Sequence, residues 1–359
     1  MWVFFMTILT GCNDDPKPKP ETVPVEDTVS IHVVDSDELN GYFDSLYDRG
    51  HFNGNGLFFH NDSMVVISKG RRVLGDTQEL RTTDVFQLAS LSKPITALGV
   101  LRLVEKGEVA LDIPLVRYLF DFPDDRITLR SLLNHTSGMG NYLYVTDSLW
   151  NNPDSFMSND DMYDMLRCEQ VPKYHPPFTR FDYCNTNYAV LPVLVERVTG
   201  LTFETFMRQE VFDPIGMDST HYLDPWTRPT DDYPVLGHYP NGDPKRPFYL
   251  DGVIGDKSLF SSVEDLFKLY QEIQDPSLWS EDLLSEAMQP SVRSGSGQFY
   301  GLGWRIRPME QDTLIFHNGW WRGFRSYFWM SSSEKKVAII LTNSIRGGYL
   351  EQNRIWSLF

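Results

Sequence analysis

The fold is decided by residues 86–96, which read FQLASLSKPIT and place Ser90 and Lys93 three positions apart. Side chains at this spacing on a helix lie on one face, so Lys93 can reach the Ser90 hydroxyl. A serine becomes an effective nucleophile when a neighbouring base removes its proton. Lys93 must be neutral to act as that base, which requires burial or a nearby positive charge. The stretch therefore predicts a serine nucleophile that a lysine activates.

A helix over residues 88–107 is predicted to carry this pair. Leu98, Leu101 and Val104 form an apolar stripe, and Gly107 stands where a helix commonly ends. The backbone N–H groups at a helix N-terminus point outward and favour negative charge. We therefore expect Ser90 to lie where a developing oxyanion is stabilised.

The S-x-x-K pattern occurs twice more, beginning at Ser332 and at Ser333. Both copies fall around the polar stretch SSSEK (331–335), which is predicted to be a hairpin turn with solvated side chains. Ser90 opens an apolar helix after a predicted pair of strands, and for that reason it is the preferred nucleophile.

A second pattern, Y-x-N, is formed by Tyr183 and Asn185. A tyrosine can pass a proton to a leaving group, and an asparagine can hold a substrate carbonyl. The same spacing at Tyr239 runs into a glycine and predicts a simple turn. Tyr183 is preferred because the helix predicted at Asn187–Thr199 follows it and fixes the loop.

The third pattern is His317-Asn318-Gly319, which follows the apolar strand predicted at 313–316. A histidine there places a hydrogen-bond donor or a positive charge beside the site. The glycine is expected to let a substrate backbone approach the strand closely. A purely structural histidine is the alternative interpretation.

Taken in chain order, the three patterns resemble the S-x-x-K, Y-x-N and [KH]-[TS]-G motifs of serine β-lactamases and penicillin-binding enzymes. The resemblance is to the branch that holds class C β-lactamases and D,D-peptidases. Residues 127–139 (ITLRSLLNHTSGM), 262–266 (SVEDL) and 300–304 (YGLGW) are similar to further segments of that branch. The resemblance extends over most of the chain, from about residue 40 to about residue 345.

This resemblance implies roles for the first two motifs. Ser90 is expected to form an acyl-enzyme, with the general-base work shared by Lys93 and Tyr183. Asn185 is expected to orient the substrate. His135, within H-T-S-G, is interpreted as a residue that holds a turn.

The third motif implies further roles and also departs from the family pattern. His317 takes the position of the usual lysine, and Asn318 replaces a small hydroxyl residue that binds a substrate carboxylate in relatives. The resemblance assigns Asn318, Gly319 and Trp320 to substrate binding, with the N–H groups of Ser90 and Trp320 as the oxyanion hole. Histidine at this position argues against a dedicated β-lactamase.

Bulky and basic residues follow the third motif. Trp320 and Trp321 either narrow the site or pack within the protein. Arg322 and Arg325 either restore a carboxylate contact or are solvated. The sequence leaves both alternatives open.

The predicted fold is of the α/β (α+β) class: an antiparallel sheet with flanking helices, built from both termini, and an all-helical insertion at roughly 112–255. This follows from predicted strands near both ends and helical stretches between them. The predicted strands are 57–60, 63–68, 313–316, 325–330 and 336–342, and the clearest other helices are 38–50, 187–199 and 263–273.

The N-terminus predicts export and lipid anchoring. Residues 1–10 are almost wholly apolar, and Leu9-Thr10-Gly11-Cys12 resembles a bacterial lipobox. Residues 1–11 are predicted to be a lipoprotein signal peptide, 12–34 a flexible tether rich in proline and charge, and 35–359 the catalytic domain. Lipidation at Cys12 is expected to hold the protein at the membrane, in a bacterial cell envelope.

Composition limits the partners. The net charge of -17 over 359 residues disfavours nucleic-acid binding, because such a surface repels phosphate backbones. No metal-binding or nucleotide-binding motif is present in the sequence, so neither a metal nor a cofactor is expected. Cys168 and Cys184 are either free or paired, and the spacing does not decide between the two.

Two functions are predicted from the sequence. The first is a serine hydrolase that acts on an ester or on a peptide or amide containing a D-amino acid. The second is a binding protein on the same fold, which holds cell-wall fragments or β-lactams without turnover. The substrate and the oligomeric state are left open.

Overall fold

The structure is a computed structural model, and it describes residues 36–152, 154–222, 235–246, 248–346 and 348–359. The predicted signal peptide, the tether and Cys12 lie outside the described residues. Within those ranges, none of the helices combines the length and the apolar character that a membrane span needs.

The described chain has strands near both ends and a run of helices in its middle part. The helices are α1 (Ser36–Asp48), α2 (Ser92–Glu105), α3 (Leu129–Leu133), α4 (Thr146–Leu149), α5 (Asn159–Arg167), α6 (Asn185–Thr199), α7 (Phe203–Met207), α8 (Val263–Gln274), α9 (Glu281–Met288) and α10 (Gln352–Trp356). The strands are β1 (Gly54–His60), β2 (Ser63–Lys69), β3 (Phe86–Gln87), β4 (His221–Tyr222), β5 (Leu259–Ser261), β6 (Val292–Gly295), β7 (Gln298–Tyr300), β8 (Arg305–Pro308), β9 (Thr313–Trp321), β10 (Phe324–Ser331) and β11 (Lys336–Thr342).

A large antiparallel sheet joins the two ends of the described chain, as predicted. Its strand order is β2-β1-β11-β10-β9-β8-β7-β6. The early strand β1 pairs with the late strand β11 from Gly54 opposite Thr342 to His60 opposite Lys336. The α/β class and the formation of the sheet from both ends are therefore confirmed.

Strand β11 shows why this sheet is covered on both faces. Side chains alternate between the faces of a strand. Val337, Ile339 and Leu341 belong to the core that contains α2 and α8. Ala338 and Ile340 belong to a smaller core that contains residues of α1 and α10. Because both faces are buried, this strand reads as a continuous apolar run, KVAIILT.

The α-helices α3 to α7 and one strand lie within the insertion predicted at 112–255, so the prediction of an all-helical insertion needs one correction. The two-residue strand β4 lies within it and pairs with β5, which also pairs with β3. This small sheet, in the order β3-β5-β4, supports the chain immediately before Ser90. Strands of two or three residues carry too little alternation to be predicted from sequence.

Two element boundaries near the site differ from the predictions. The helix predicted over 88–107 begins as a 3-10 turn, Ala89–Leu91, and continues as α2. Strand β9 runs beyond residue 316 to Trp321. Cys168 and Cys184 are both free, the first exposed and the second buried.

Candidate active site

Ser90 lies in the 3-10 turn between β3 and α2, on a strained backbone. Ala89 adopts a left-handed conformation with φ of 52°. For a residue with a Cβ atom this costs about 1–2 kcal/mol, and such strain concentrates at functional sites. The turn packs against β9 and β10 of the large sheet. The sheet and the turn together hold the Ser90 hydroxyl where two cavities meet.

Lys93 is fully buried beside Ser90. Its Nζ donates to Ser90 Oγ at 3.1 Å, to Asn185 Oδ1 at 2.7 Å and to the Asp256 carbonyl at 2.8 Å. These three acceptors match the three donors of the protonated amine. In the neutral form, Nζ keeps two donors for Asn185 and Asp256, and its lone pair faces the Ser90 hydroxyl. The predicted contact between the lysine and the serine is therefore present in the folded chain. The third acceptor, a backbone carbonyl, has no signature in the sequence.

Tyr183 and Asn185 reach the same site from the start of α6. Asn185 is the first residue of that helix. The ring centroid of Tyr183 lies 5.1 Å from Lys93 Nζ. The structure thus brings together Ser90, Lys93, Tyr183 and Asn185, whose association the motif order predicts.

His135 supports the segment that carries Tyr183. It is fully buried, and its Nδ1 accepts the backbone N–H of Cys184 at 3.1 Å. Its ring centroid lies 4.5 Å from that of Tyr183. His135 itself has a positive φ of 58°, so it also shapes the turn in which it lies. These contacts agree with its interpretation as a turn residue.

His317 is fully buried among aromatic rings, an environment that disfavours its charged form. Its Nε2 lies 3.1 Å from the Tyr300 hydroxyl, and its ring centroid is 6.3 Å from that of Tyr183. Burial, and then the positive charges of Arg305 and Lys93, hold the pKa of His317 well below its usual range. The sequence left open a hydrogen-bonding group or a positive charge at this position, and the lowered pKa favours the neutral, hydrogen-bonding form of His317.

The buried state of His317 predicts how stability depends on pH. A histidine whose pKa is lowered in the folded protein stabilises the fold fully at pH values above its pKa in the unfolded chain, about 6.5. This stabilisation is lost as the pH falls below that value, because the unfolded chain then binds a proton that the folded protein does not. Between pH 7.5 and 5 the loss amounts to about 2 kcal/mol for one such group. We expect His317→Gln to lose about 2 kcal/mol less than the wild type over this interval, as measured by urea unfolding. Parallel losses in both proteins would contradict the assignment.

The edge of β9 supports the predicted oxyanion hole. Strand β8 pairs with β9 only as far as Phe316. Trp321 and Phe324 close a two-residue hairpin, and Trp320 is opposite Arg325. Because hydrogen-bonded and non-hydrogen-bonded pairs alternate in such a hairpin, the N–H of Trp320 points away from β10. It points to the side of β9 that β8 leaves free, as donation to an oxyanion requires.

Gly319 accommodates the protein's own backbone. A Cβ atom at this position would lie 2.1 Å from the Leu88 carbonyl oxygen and 3.0 Å from Ala89 Cβ. The Ser326 hydroxyl also donates to the Leu88 carbonyl. The space expected to admit a substrate backbone is therefore filled by the segment that carries the nucleophile. Gly319 determines how closely Ser90 approaches β9.

Substitution of Gly319 tests whether this residue sets the distance between Ser90 and β9. We expect Gly319→Ala to destabilise the protein by about 1–3 kcal/mol, because backbone atoms must shift. A displacement of Ser90 by about 1 Å is expected to lower kcat/KM by about 100-fold. Gly295→Ala is the matched control, since nothing lies within 4 Å of its added Cβ. Thermal unfolding and ester hydrolysis measure the two effects, and equal behaviour of the two variants would refute the role of Gly319.

Asn318 is held by the sheet. Its Oδ1 accepts the indole N–H of Trp329 at 2.7 Å. Asn318 also lines a cavity next to Ser90, but this contact occupies the side-chain oxygen. The residue at this position therefore fixes β9 against β10 in addition to any contact with substrate.

Two cavities flank Ser90, and we name each after a motif residue in it. The Tyr183-side cavity has a volume of about 500 Å³ and is also lined by Arg305 and Asn318. The Asn185-side cavity has a volume of about 580 Å³ and is also lined by Lys257 and Trp321. Trp320, which is 56% exposed, borders both cavities. Trp320 and Trp321 therefore line the site but leave both cavities open.

A comparison with known proteins assigns the family. The model of the family described as Beta-lactamase matches residues 42–354. This chain belongs to the beta-lactamase family. Its match covers the three motifs, both ends of the large sheet and the insertion.

Relatives within the beta-lactamase family include a penicillin-binding protein of Bacillus subtilis (strain 168). That protein is 30% identical over 339 residues, which cover 88% of this chain and 73% of the relative. A D-aminopeptidase of Brucella anthropi is 27% identical over 263 residues, which cover 71% of this chain and about half (49%) of the relative.

Solved structures show the same fold. A penicillin-binding protein from Bacillus halodurans has a TM-score of 0.79 and 25% identity, over 89% of this chain and 99% of that chain. A D-amino acid amidase from Ochrobactrum anthropi SV3, in complex with L-phenylalanine amide, has a TM-score of 0.76 and 22% identity. The amidase comparison covers 90% of this chain and 97% of that chain.

Several site residues of this beta-lactamase family member are absent from the sequence-based predictions. Arg305 lies over the Tyr183 ring, with 5.1 Å between its Cζ and the ring centroid. Lys257 is buried and donates to the Tyr142 hydroxyl at 2.6 Å and to Asp256 Oδ1 at 3.3 Å. Burial lowers the pKa of Lys257. These residues lie outside the three motifs, and only the folded chain brings them to Ser90.

Proposed function

We propose that this protein is a serine hydrolase that cleaves the amide bond before a C-terminal D-amino acid and also hydrolyses esters. The observation that carries the proposal is the hydrogen bond from Lys93 Nζ to Ser90 Oγ, in a site that Asn185 completes. Membership of the beta-lactamase family, and relatives named penicillin-binding protein and D-aminopeptidase, support this class of chemistry.

The proposed reaction follows from the positions of the side chains. Lys93, in its neutral form, or Tyr183 takes the Ser90 proton as Oγ attacks the substrate carbonyl carbon. The carbonyl oxygen becomes an oxyanion that the N–H groups of Ser90 and Trp320 stabilise. Tyr183 returns the proton to the leaving nitrogen as the C–N bond breaks. A water molecule then attacks the acyl-enzyme, and its proton passes back to Ser90 as the acid product forms.

Charge in the Tyr183-side cavity indicates the leaving group. Tyr183 serves the leaving nitrogen, so the leaving amino acid lies in this cavity. Arg305 lines it and forms no ion pair with a described residue. An arginine binds a carboxylate in a bidentate manner. This favours a leaving group with a free carboxylate over the uncharged leaving group of an amino acid amide.

The proposal is tested with two matched substrates, diacetyl-L-Lys-D-Ala-D-Ala and the same peptide ending in D-alaninamide. We expect the wild type to prefer the free acid by at least about 10-fold in kcat/KM, and Arg305→Gln to remove this preference. Rates on the amide are expected to fall by a smaller factor than rates on the free acid, and that factor measures the loss of the Arg305 contact with the Tyr183 ring. Arg293→Gln, an exposed arginine on β6, is the control. A wild-type preference for the amide, or equal loss on both substrates, would overturn the carboxypeptidase assignment.

The binding-protein alternative makes a different prediction for the same experiment. The alternative rests on Asn318, which replaces a small hydroxyl residue, and on crowding of the site by Trp320 and Trp321. Cavities of about 500 and 580 Å³ nevertheless lie on either side of Ser90. Such room accommodates both halves of a substrate. Stable binding of the free acid with no product release would favour the alternative.

A further inference from the structure

The Asn185-side cavity combines aromatic walls with positive charge. Tyr144, Phe248, Trp320 and Trp321 supply apolar surface at the cavity wall. Tyr144 and Trp320 are 74% and 56% exposed, which is unusual for large aromatic side chains. Exposed aromatic groups around a concave site commonly contact a ligand.

Two cations of this cavity have no carboxylate partner among the described residues. They are Lys245 and Arg322. The pKa of Lys245 is lowered mainly by burial and, to a smaller extent, by the positive charge of Arg322 nearby. The nearby carboxylates of Asp251 and Asp256 are buried and already bonded. Asp251 accepts the Trp321 indole N–H at 2.5 Å, and Asp256 pairs with Lys257 at 3.3 Å.

The backbone of Arg322 is strained, because it adopts a left-handed conformation. It has a φ of 46° and Gly323 a φ of 90°, which are the two central positions of a type I′ hairpin turn. Asparagine and glycine favour the first of these positions, and arginine does not. The Arg322 guanidinium lies 4.9 Å from the Phe248 ring, and its Nε is buried without a hydrogen-bond partner among the described residues. Nη2 donates to the Arg246 carbonyl, and the remaining N–H groups of the guanidinium stand on a strained residue at the edge of a cavity. Such strain concentrates at functional sites.

The local charge contrasts with that of the whole chain. The protein carries a net charge of -17, and yet among the described residues Lys245, Lys257 and Arg322 outnumber Asp251 and Asp256, the two carboxylates beside them. A positive cavity in a negative protein concentrates anions at one place and repels them elsewhere. A positive charge placed in this way affects which substrates are preferred more than it increases the affinity for all of them.

We propose that the Asn185-side cavity binds an acyl group that carries a carboxylate beside an apolar portion. This inference rests on the proposed function, in which the leaving group occupies the Tyr183-side cavity and the acyl group therefore lies on the side of Asn185. Arg322 and Lys245 bind the carboxylate, and the aromatic walls cover the apolar part. The substrate is then an N-acyl-D-aminoacyl-D-amino acid with an anion at each end.

The test uses Ser90→Ala protein, so that binding is measured without turnover. The ligands are glutaryl-D-Ala-D-Ala and glutaramoyl-D-Ala-D-Ala, which differ only in a carboxylate or a carboxamide at the acyl end. Isothermal titration calorimetry at 20 mM and at 300 mM NaCl gives the ratio of their Kd values. We expect the acid to bind about 10-fold to 100-fold more tightly at low salt, with a smaller ratio at high salt.

Two further variants locate the effect. Lys245→Gln together with Arg322→Asn, in the Ser90→Ala protein, is expected to bring the ratio of Kd values to within about 2-fold. Asparagine suits the type I′ turn, so this variant is expected to fold. Arg305→Gln in the same background is expected to weaken both ligands and to leave the ratio unchanged.

The outcomes separate this inference from the proposed function. Equal binding of the two ligands, no binding of either, or an unchanged ratio in the double variant overturns the acyl-carboxylate site. Absence of hydrolysis by the wild type overturns the proposed function. The ratio of Kd values does not depend on turnover, so it still tests the acyl-carboxylate site in that case.

Discussion

Ser90→Ala is expected to lower kcat/KM for ester and D-alanyl peptide substrates by at least about 10⁴-fold, because it removes the atom that forms the acyl-enzyme. The same change is expected to abolish the covalent adduct that a fluorophosphonate or a penicillin forms with the wild type. Lys93, Tyr183 and Asn185 stay in place in this variant, so any residual rate measures what the rest of the site contributes. Intact-protein mass spectrometry and initial rates of hydrolysis record the two effects.

The chain supplies its own control for this experiment. Ser332 and Ser333 also begin S-x-x-K sequences, but both lie in the exposed turn between β10 and β11, where their hydroxyls donate to Asp312. Ser332→Ala and Ser333→Ala are expected to retain wild-type rates within about 2-fold, as surface substitutions generally do. An adduct that persists in Ser90→Ala, or that is lost in either control, would show that the nucleophile is elsewhere.

Lys93→Met is expected to lower kcat/KM by about 10³-fold, in the range that a positioned general base contributes. Lys93 is fully buried, and methionine fills similar space without a proton acceptor. Labelling by a fluorophosphonate is expected to slow by a similar factor, because the Ser90 hydroxyl then lacks its base.

A second substitution separates the base from the charge. Lys93→Arg keeps a positive charge, but a guanidinium does not give up its proton in a protein. We therefore expect it to be as inactive as Lys93→Met. Lys335→Met is the matched control, because Lys335 is an exposed lysine that ends another S-x-x-K sequence. Retention of more than about a tenth of the wild-type rate by Lys93→Arg would contradict a general-base role.

The motif residues and the long strands could be predicted because their signals are local or ordered along the chain. The pair Ser90 and Lys93 lies one turn apart on neighbouring helical segments, and β11 is an uninterrupted apolar run. The place of Asn185 followed from the resemblance to known motifs. The structure adds the 2.7 Å contact of its side chain with Lys93.

Other parts of the site were beyond prediction because they depend on contacts between distant segments. Arg305 comes to Tyr183 through the pairing of β8 with β9. It directly follows the family-like segment YGLGW (300–304), but that resemblance gives Arg305 no role. The Asp256 carbonyl bonds Lys93 through a backbone atom that every residue has. The role of Gly319 was assigned to substrate approach, since the sequence does not show that Leu88 occupies that space.

The join between the two ends of the sheet has a consequence for biosynthesis. Ser326 bonds the Leu88 carbonyl across 238 positions of sequence, and β1 pairs with β11 at the far end of the chain. Contacts this distant form slowly, because a long loop must close before they are made. The segment that carries Ser90 leaves the ribosome long before the strands that position it. A nascent chain therefore cannot hold the Ser90 turn against β9 until β9 and β10 have been synthesised.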